Sequence, residues 1–172
     1  VWRGNSDTEV LLEAIEQWGL KKALRYCSGM FSFALWDQDL QLLSLVRDRL
    51  GEKPLYYGWC KGTFVFGSEL KSIKAHPDFE RIINIDAVTL YFNHGFIPAP
   101  SSIYEGIYKL SPGNILNLAI NSSGHEPLTI ESYWSIDSCI SPIRNSRFKE
   151  NGYIDELETL LTNAVVQQSA AD

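Results

Sequence analysis

The sequence has few cysteines and no pattern that would give them a shared role. Cys27, Cys60 and Cys139 are the only three in 172 residues, and none belongs to a Cys-x-x-Cys pair. An odd, widely spaced set argues against a disulfide framework and favours a reducing compartment. We therefore expect a cytoplasmic protein whose cysteines are small, buried apolar residues.

The sequence also lacks an excess of positive charge and any long apolar run. Its 15 lysines and arginines are outnumbered by 21 aspartates and glutamates, which gives a net charge of -6. Nucleic acids and anionic membranes bind proteins through a positive field, so neither is an expected partner. No segment approaches the roughly 20 apolar residues of a membrane span, and no signal peptide is visible. No histidine has a second ligand at metal-binding spacing, so no metal site is expected at His76, His94 or His125.

What the sequence does contain is the patterning of a folded domain. Hydrophobic residues make up 45% and charged residues 21%, a globular balance. A capping box, in which Ser6 accepts from the backbone N–H of Glu9, predicts a helix that ends at Gly19. Four apolar runs predict consecutive strands of an antiparallel sheet, at residues 30–36, 41–46, 55–57 and 63–66. Short helices predicted near residues 69–75 and 86–94 make the fold class α+β.

The second half of the chain is patterned differently. Residues 107–110 and 115–118 predict two strands joined by a turn at residues 111–114. From about residue 121 the composition shifts to serine, asparagine, proline and charge, which is typical of a linker. Beyond residue 153 the apolar positions fall on one helical face, so this helix needs a partner surface.

A dense charge cluster stands in residues 47–58, RDRLGEKPLYYG, directly before a predicted strand. A phosphate-binding loop is disfavoured, because the segment has one glycine before the strand and its three positive and two negative charges sum to +1. One alternative is a solvated turn in which Gly51 takes a positive φ. The other is an ion-pair network of Arg47, Asp48 and Arg49 that holds neighbouring loops. We expect a combination of these two and no catalytic role.

Two candidate functional positions remain open when only residue chemistry is considered. Asp7 stands in the first turn of a predicted helix, where the helix dipole favours a carboxylate with or without a ligand. Ser68 and Glu69 are either a reactive pair or simply the start of a helix. The residues alone therefore predict a fold class but no reaction.

Several segments, in the same order and spacing, resemble the glutamine-hydrolysing asparagine synthetases. The resemblance covers residues 2–134, and residues 153–172 match less specifically the helix that opens the second domain of that family. The segments that carry it are SDTEVLL at residues 6–12, GMFSFALWD at 29–37, RDRLGEKPLYY at 47–57, FGSELKSI at 66–73, PAPSSIYEGI at 98–107 and KLSPG at 109–113.

The resemblance implies a class II glutamine amidotransferase domain with the N-terminal-nucleophile hydrolase fold. This fold is an αββα sandwich of two antiparallel sheets between helical layers, here partial. Family members release ammonia from glutamine with an amino-terminal cysteine, and a second domain uses ATP and Mg²⁺ to amidate aspartate to asparagine. Asp7 matches the aspartate that binds the α-amino group of glutamine. The implied parts are residues 1–135 as the later amidotransferase domain, 136–152 as a linker and 153–172 as the first synthetase helix.

The departures from the family pattern concern the reacting groups. No cysteine of this chain stands at the catalytic position of the family. Three further family elements are also missing: the arginine that binds the glutamine carboxylate, the Asn-Gly of the oxyanion hole, and the Ser-Gly-Gly-x-Asp-Ser pyrophosphate loop. Asn114 replaces the histidine that usually follows Pro-Gly. We therefore expect an inactive piece of a larger enzyme, with no catalytic residue or cofactor of its own, that self-associates into a homo-oligomer. Two alternatives are an amidotransferase for another carboxylate acceptor, a sugar acid or peptide, and a non-catalytic amidotransferase-like binding module.

Overall fold

The computed structural model describes residues 6–121, 124–125, 128–140 and 153–169. The chain forms two units, Val1–Ser135 and Ile136–Asp172. The helices of the first unit are α1 (Asp7–Trp18), α2 (Leu20–Tyr26), α3 (Leu70–Lys74) and α4 (Ile85–His94). Its strands are β1 (Ser32–Asp37), β2 (Leu42–Arg47), β3 (Tyr56–Cys60), β4 (Thr63–Gly67), β5 (Ile107–Lys109), β6 (Asn114–Asn121), β7 (Gly124–His125) and β8 (Thr129–Ser132).

The strands form two antiparallel sheets. Sheet 1 runs β1-β2-β6, and β7 and β8 both pair with β6. Sheet 2 runs β4-β3-β5. The prediction of one sheet from four consecutive strands is wrong, because the chain leaves sheet 1 after Arg47 and begins sheet 2 at Tyr56. The two strands predicted on either side of residues 111–114 are confirmed as β5 and β6, although they lie in different sheets, β5 in sheet 2 and β6 in sheet 1.

The core has two layers, one on each face of sheet 1. Leucines of β2 and β6 meet Tyr57 of β3 between the two sheets, together with Leu55 and Leu110. On the opposite face, Leu24 of α2 packs on Val46 and Ile115. Neighbouring residues of a strand point to opposite faces, so alternate positions of β2 and β6 supply the two layers. This alternation explains why both strands are nearly continuous in hydrophobicity.

The ends of α1 follow the sequence prediction with one difference. The Ser6 hydroxyl accepts from the backbone N–H of Thr8 at 3.2 Å, rather than from that of Glu9, whose N–H donates to the Ser6 carbonyl at 3.1 Å. Gly19 has a φ of 78° and its N–H donates to the carbonyl of Ile15 at 2.8 Å. No residue of α1 is fully buried, so its apolar face is only partly covered.

The second unit contains α5 (Ile136–Ile140) and α6 (Tyr153–Ser169). The short α5 begins the stretch predicted as a linker, and residues 141–152 lie outside the described part of the chain. Within its own unit α6 leaves its apolar residues exposed, as at Ile154 and Leu161. None of the helices in the described ranges is long and apolar enough to cross a membrane.

Candidate functional site

The candidate site is a cavity of about 870 Å³ beside the apolar face of α1. The predicted buried face of α1 therefore borders a space and does not meet the sheet closely. Among the described residues, two charged side chains line this cavity, Asp7 and Lys53, together with polar and apolar residues. The other lining residues are Thr8, Val10, Leu11, Ala14, Trp18, Ala23, Tyr26, Cys27, Ser28, Met30, Phe31, Ser32, Phe33 and Ser68.

Asp7 is the acidic group of the cavity. It is the first residue of α1, and one carboxylate oxygen, Oδ1, accepts from the Thr8 hydroxyl at 3.3 Å and the Ser6 hydroxyl at 3.5 Å. The carboxylate is exposed, and no cation of the described residues lies within ion-pair distance. An unpaired carboxylate at a cavity wall can accept hydrogen bonds from a ligand ammonium and compensate its charge.

The wall containing Lys53 is built around a buried carboxylate. Asp48 is 1% exposed, and its Oδ1 accepts from the backbone N–H groups of Leu50 at 3.1 Å and Glu52 at 3.0 Å. Its Oδ2 accepts from the N–H of Lys53 at 2.9 Å. The backbone N–H of Asp48 donates to the carbonyl of Phe31 at 2.9 Å. Asp48 is therefore bonded to two residues that line the cavity, Phe31 and Lys53.

These hydrogen bonds keep Asp48 ionised despite its burial. Burial raises the pKa of a carboxylate, but here the backbone hydrogen bonds, led by those from Lys53 and Glu52, outweigh it and lower the pKa. No ion pair joins Asp48 to Arg47 or Arg49, all of which are described. The predicted ion-pair network is therefore wrong, and backbone N–H groups hold the negative charge.

The Arg47 guanidinium is held by backbone carbonyls, just as the Asp48 carboxylate is held by backbone N–H groups. Its nitrogens donate to the carbonyls of Lys53 at 2.9 Å, Leu110 at 2.6 Å and Gly51 at 2.5 Å. Burial lowers the pKa of Arg47, and the charge of Asp48 acts in the opposite direction. Gly51 has the predicted positive φ, 71°. The charged segment is thus a structural connection between the sheets, folded around two oppositely charged side chains.

The neighbouring side chains extend this arrangement. Arg49 donates to the carbonyl of Arg25 at 2.8 Å, which joins the connection to the end of α2. The Tyr133 hydroxyl donates to the carbonyl of Arg47 at 2.9 Å. Burial and the charge of Asp48 raise the pKa of Tyr133 to about 12.

The remaining sequence-predicted positions play no part in a reactive group. Ser68 lines the cavity, but Glu69 precedes α3 as its N-cap and forms an ion pair with Lys71 at 2.5 Å. The interpretation of Ser68 and Glu69 as a helix start is therefore favoured. Asn114 begins β6 and is paired with Ser132 of β8.

The cysteines differ in environment. Cys60 is buried as predicted, Cys27 is half-buried, and Cys139 is exposed, so the prediction of burial is wrong for Cys139. Burial raises the pKa of both Cys27 and Cys60, which disfavours the reactive thiolate. All three are free thiols.

The structure describes the side chains of two of the three histidines, His76 and His94. His76 Nδ1 accepts from the backbone N–H of Asp78 at 3.3 Å, and His94 stands at the exposed end of α4 beside Phe96. The side chain of His125 lies outside the described residues. Across the described ranges, no group of three or more His, Cys, Asp or Glu side chains is placed to hold a metal ion.

Sequence reasoning missed the part of Lys53 and Ser32 in the cavity wall. In the sequence, Lys53 is one of several charges of a predicted turn, and Ser32 is one residue of a predicted strand. Ser32 donates to the carbonyl of Pro54 at 3.4 Å, next to Lys53. No sequence signal marks this wall, because segments far apart in sequence form it.

Comparison with known proteins identifies the family. The profile of the glutamine amidotransferase domain matches residues 1–134. Asparagine synthetase [glutamine-hydrolyzing] 3 of Bacillus subtilis (strain 168) is 32% identical over 97% of this chain, which spans 26% of that relative. Putative asparagine synthetase [glutamine-hydrolyzing] 2 of Methanocaldococcus jannaschii is 36% identical over 97% of the chain, which spans 31% of it. The chain thus spans about a quarter to a third of these relatives.

The fold agrees with this assignment. The glutamine phosphoribosylpyrophosphate amidotransferase of B. subtilis superposes on 79% of this chain and 24% of its own, with a TM-score of 0.51 at 20% identity. This confirms the expected α+β fold of the N-terminal-nucleophile hydrolase type, and the resemblance to glutamine-hydrolysing asparagine synthetases is confirmed by the sequence matches. The chain belongs to the glutamine amidotransferase domain family.

Proposed function

We propose that this chain supplies the ammonium-binding wall of a glutamine site, and that Asp7 binds the α-amino group of glutamine. The observation that carries this proposal is the exposed Asp7 carboxylate at the wall of the 870 Å³ cavity. Its oxygens face only hydroxyl donors and no cation among the described residues. A ligand ammonium would supply the missing positive charge and add charge-assisted hydrogen bonds.

The wider activity is proposed for a longer protein that includes this chain. That protein would hydrolyse glutamine to ammonia and use ATP to amidate aspartate to asparagine, by analogy with the named activity of the similar synthetases. ATP and Mg²⁺ would be its cofactors and the cytoplasm its location. Among the described residues, no group of three or more His, Cys, Asp or Glu side chains is placed to hold a metal ion.

The 172-residue chain alone is proposed to be inactive. Its cysteines at positions 27 and 60 have raised pKa values, and neither these nor the exposed Cys139 match the family's nucleophile. A glutaminase assay on the purified chain should give no ammonia above a buffer blank. Ammonia release that scales with chain concentration would contradict this part of the proposal.

The role of Asp7 is tested in the full-length protein by Asp7→Asn, with Asp86→Asn as matched control. Both aspartates lie in the first turn of a helix, α1 and α4, so both substitutions remove the same helix-dipole interaction. Only Asp7 lines the cavity. We expect Asp7→Asn to raise the KM for glutamine roughly ten- to hundredfold, the cost of losing a charged hydrogen-bond partner. Asp86→Asn should leave this KM unchanged.

Ammonium chloride in place of glutamine provides the second readout. Amidation driven by added ammonia bypasses the glutamine site, so both variants should keep the wild-type rate with this nitrogen source. Equal glutamine KM values for Asp7→Asn and Asp86→Asn would overturn the assignment of Asp7.

The acceptor is tested in the same full-length protein. Aspartate should support glutamine-dependent ATP consumption, whereas a uronic acid should not. The reverse result would favour an amidotransferase for a sugar acid. A coding sequence without Met-Cys at its start would favour the non-catalytic binding module.

A further inference from the structure

The charged connection between the sheets bears on the cavity as well as on the fold. Three polar atoms of cavity-lining residues outside α1 are hydrogen-bonded to this connection. Asp48 bonds the backbone of Phe31 at 2.9 Å and of Lys53 at 2.9 Å, and the hydroxyl of Ser32 donates to the carbonyl of Pro54 at 3.4 Å. Phe31, Ser32 and Lys53 all line the cavity.

Lys53 is held from both sides. Its N–H donates to the Asp48 carboxylate, and its carbonyl accepts from Nε of Arg47 at 2.9 Å. Its side chain is exposed to the cavity and forms no ion pair with any described residue. The backbone of Lys53 is therefore fixed, and with it the position from which this lysine side chain extends into the cavity lining.

We propose that Asp48 is a positioning residue of the glutamine site, which sets the part of the cavity wall formed by Phe31 and Lys53. This inference rests on the proposed function, because it assigns Asp48 a role in glutamine affinity. Asp48 does not touch the ligand space itself: it is buried and its oxygens are occupied by backbone N–H groups. It acts through the backbone of Phe31 and Lys53.

Asp48→Asn separates this role from simple folding. The single oxygen of asparagine can keep the bonds to Leu50 and Glu52 that Oδ1 now accepts, but its NH₂ group then faces the N–H of Lys53. Two donors cannot bond one another, so Lys53 is released selectively. Asp37→Asn is the matched control, because Oδ1 of Asp37 also accepts two turn N–H groups, at 3.0 and 2.9 Å, away from the cavity.

Kinetics of glutamine hydrolysis in the full-length protein provide the test. Asp48→Asn should raise the KM for glutamine about tenfold, because one hydrogen bond that positions the cavity wall is lost. The kcat should stay within about twofold of the wild-type value. Asp37→Asn should leave both constants unchanged. Hydrogen exchange at the Lys53 amide should be faster in Asp48→Asn and unaltered in Asp37→Asn.

A purely structural role gives a different result. Lower kcat with an unchanged KM reports a smaller folded fraction and would overturn the proposal, as would faster exchange at Lys53 without any change in KM. Should Asp48→Asn not fold, Arg47→Lys keeps the positive charge and Asp48 but removes the Nε donor to the Lys53 carbonyl. We expect a KM increase of about threefold from this milder change, and an unchanged KM would overturn the proposal.

Failure of the proposed function has its own signature. An unchanged glutamine KM in Asp7→Asn overturns the function whatever Asp48 does. A raised KM in Asp7→Asn together with a wild-type KM in Asp48→Asn overturns only the role of Asp48.

Discussion

The backbone N–H of Gly113 donates a hydrogen bond to the carbonyl of Asp48 at 2.8 Å. This bond joins the two segments through which the chain passes between the sheets, residues 48–55 and 110–113. Leu110 reinforces it, since its N–H donates to the carbonyl of Leu55 at 2.9 Å and its own carbonyl accepts from Arg47. The connections between the sheets are therefore one hydrogen-bonded unit.

Gly113 is expected to be the least replaceable residue of this unit. Its φ is 65°, and a Cβ atom there would collide with the carbonyl of Trp134. Gly113→Ala should lower the free energy of unfolding by about 3 kcal/mol, combining backbone strain with steric overlap. Urea denaturation of the chain measures this loss.

Gly106→Ala is the control for backbone strain alone. Gly106 has a similar φ of 71°, but a Cβ atom there meets nothing within 4 Å. Its substitution should cost about 1 kcal/mol. Equal losses at Gly106 and Gly113 would show that the contact with Trp134 contributes nothing.

The sequence predicts the helices and strands of this chain better than their arrangement. Strand patterning located β1 to β6 because alternate residues are buried on two faces, but it predicted one sheet for the first four strands, whereas β3 and β4 lie in sheet 2. Sheet membership depends on long-range pairing such as Tyr57 with Tyr108, which short-range periodicity does not encode. Composition also misled at β8, because residues 129–132, three of them polar, form a strand beside β6.

The candidate site shows the same limit. Asp7 was found through a motif, because capping and ligand-binding residues occupy a fixed place in a helix start. No motif marks the wall that contains Lys53, since its backbone is held by the carboxylate of Asp48, which is buried inside a charge cluster. Burial of a charged residue in the middle of a charge cluster has no signature in sequence.

Asp48 should contribute strongly to stability as well as to affinity. Asp48→Ala removes a buried carboxylate that accepts three part-buried backbone N–H groups and should cost about 3 kcal/mol near neutral pH. Asp37→Ala, which frees two N–H groups in an exposed turn where water can replace the carboxylate, should cost about 1 kcal/mol. Urea denaturation of both variants at pH 7 makes the comparison.

The acid dependence of the Asp48 contribution follows from its lowered pKa. The folded state binds the Asp48 proton less tightly than the unfolded chain, so the contribution is complete above the unfolded value of about 3.9 and is lost as the pH falls below it. The difference in unfolding free energy between wild type and Asp48→Ala should therefore narrow below about pH 4. A constant difference from pH 7 down to pH 3 would contradict this assignment.

The contribution of Tyr133 to the free energy of unfolding should be lost at alkaline pH, whereas that of Asp48 is lost at acidic pH. Its hydroxyl donates to the carbonyl of Arg47 at 2.9 Å, so Tyr133→Phe should cost about 1 kcal/mol at pH 8. Its pKa is raised to about 12 by burial and by the charge of Asp48, against about 10 in the unfolded chain. The folded state thus holds this proton more tightly, and the contribution of Tyr133 disappears as the pH rises from about 10 to 12. Urea denaturation of both proteins between pH 8 and 12 should show the two unfolding free energies converging, whereas parallel curves would mean that this hydroxyl is not buried against Arg47.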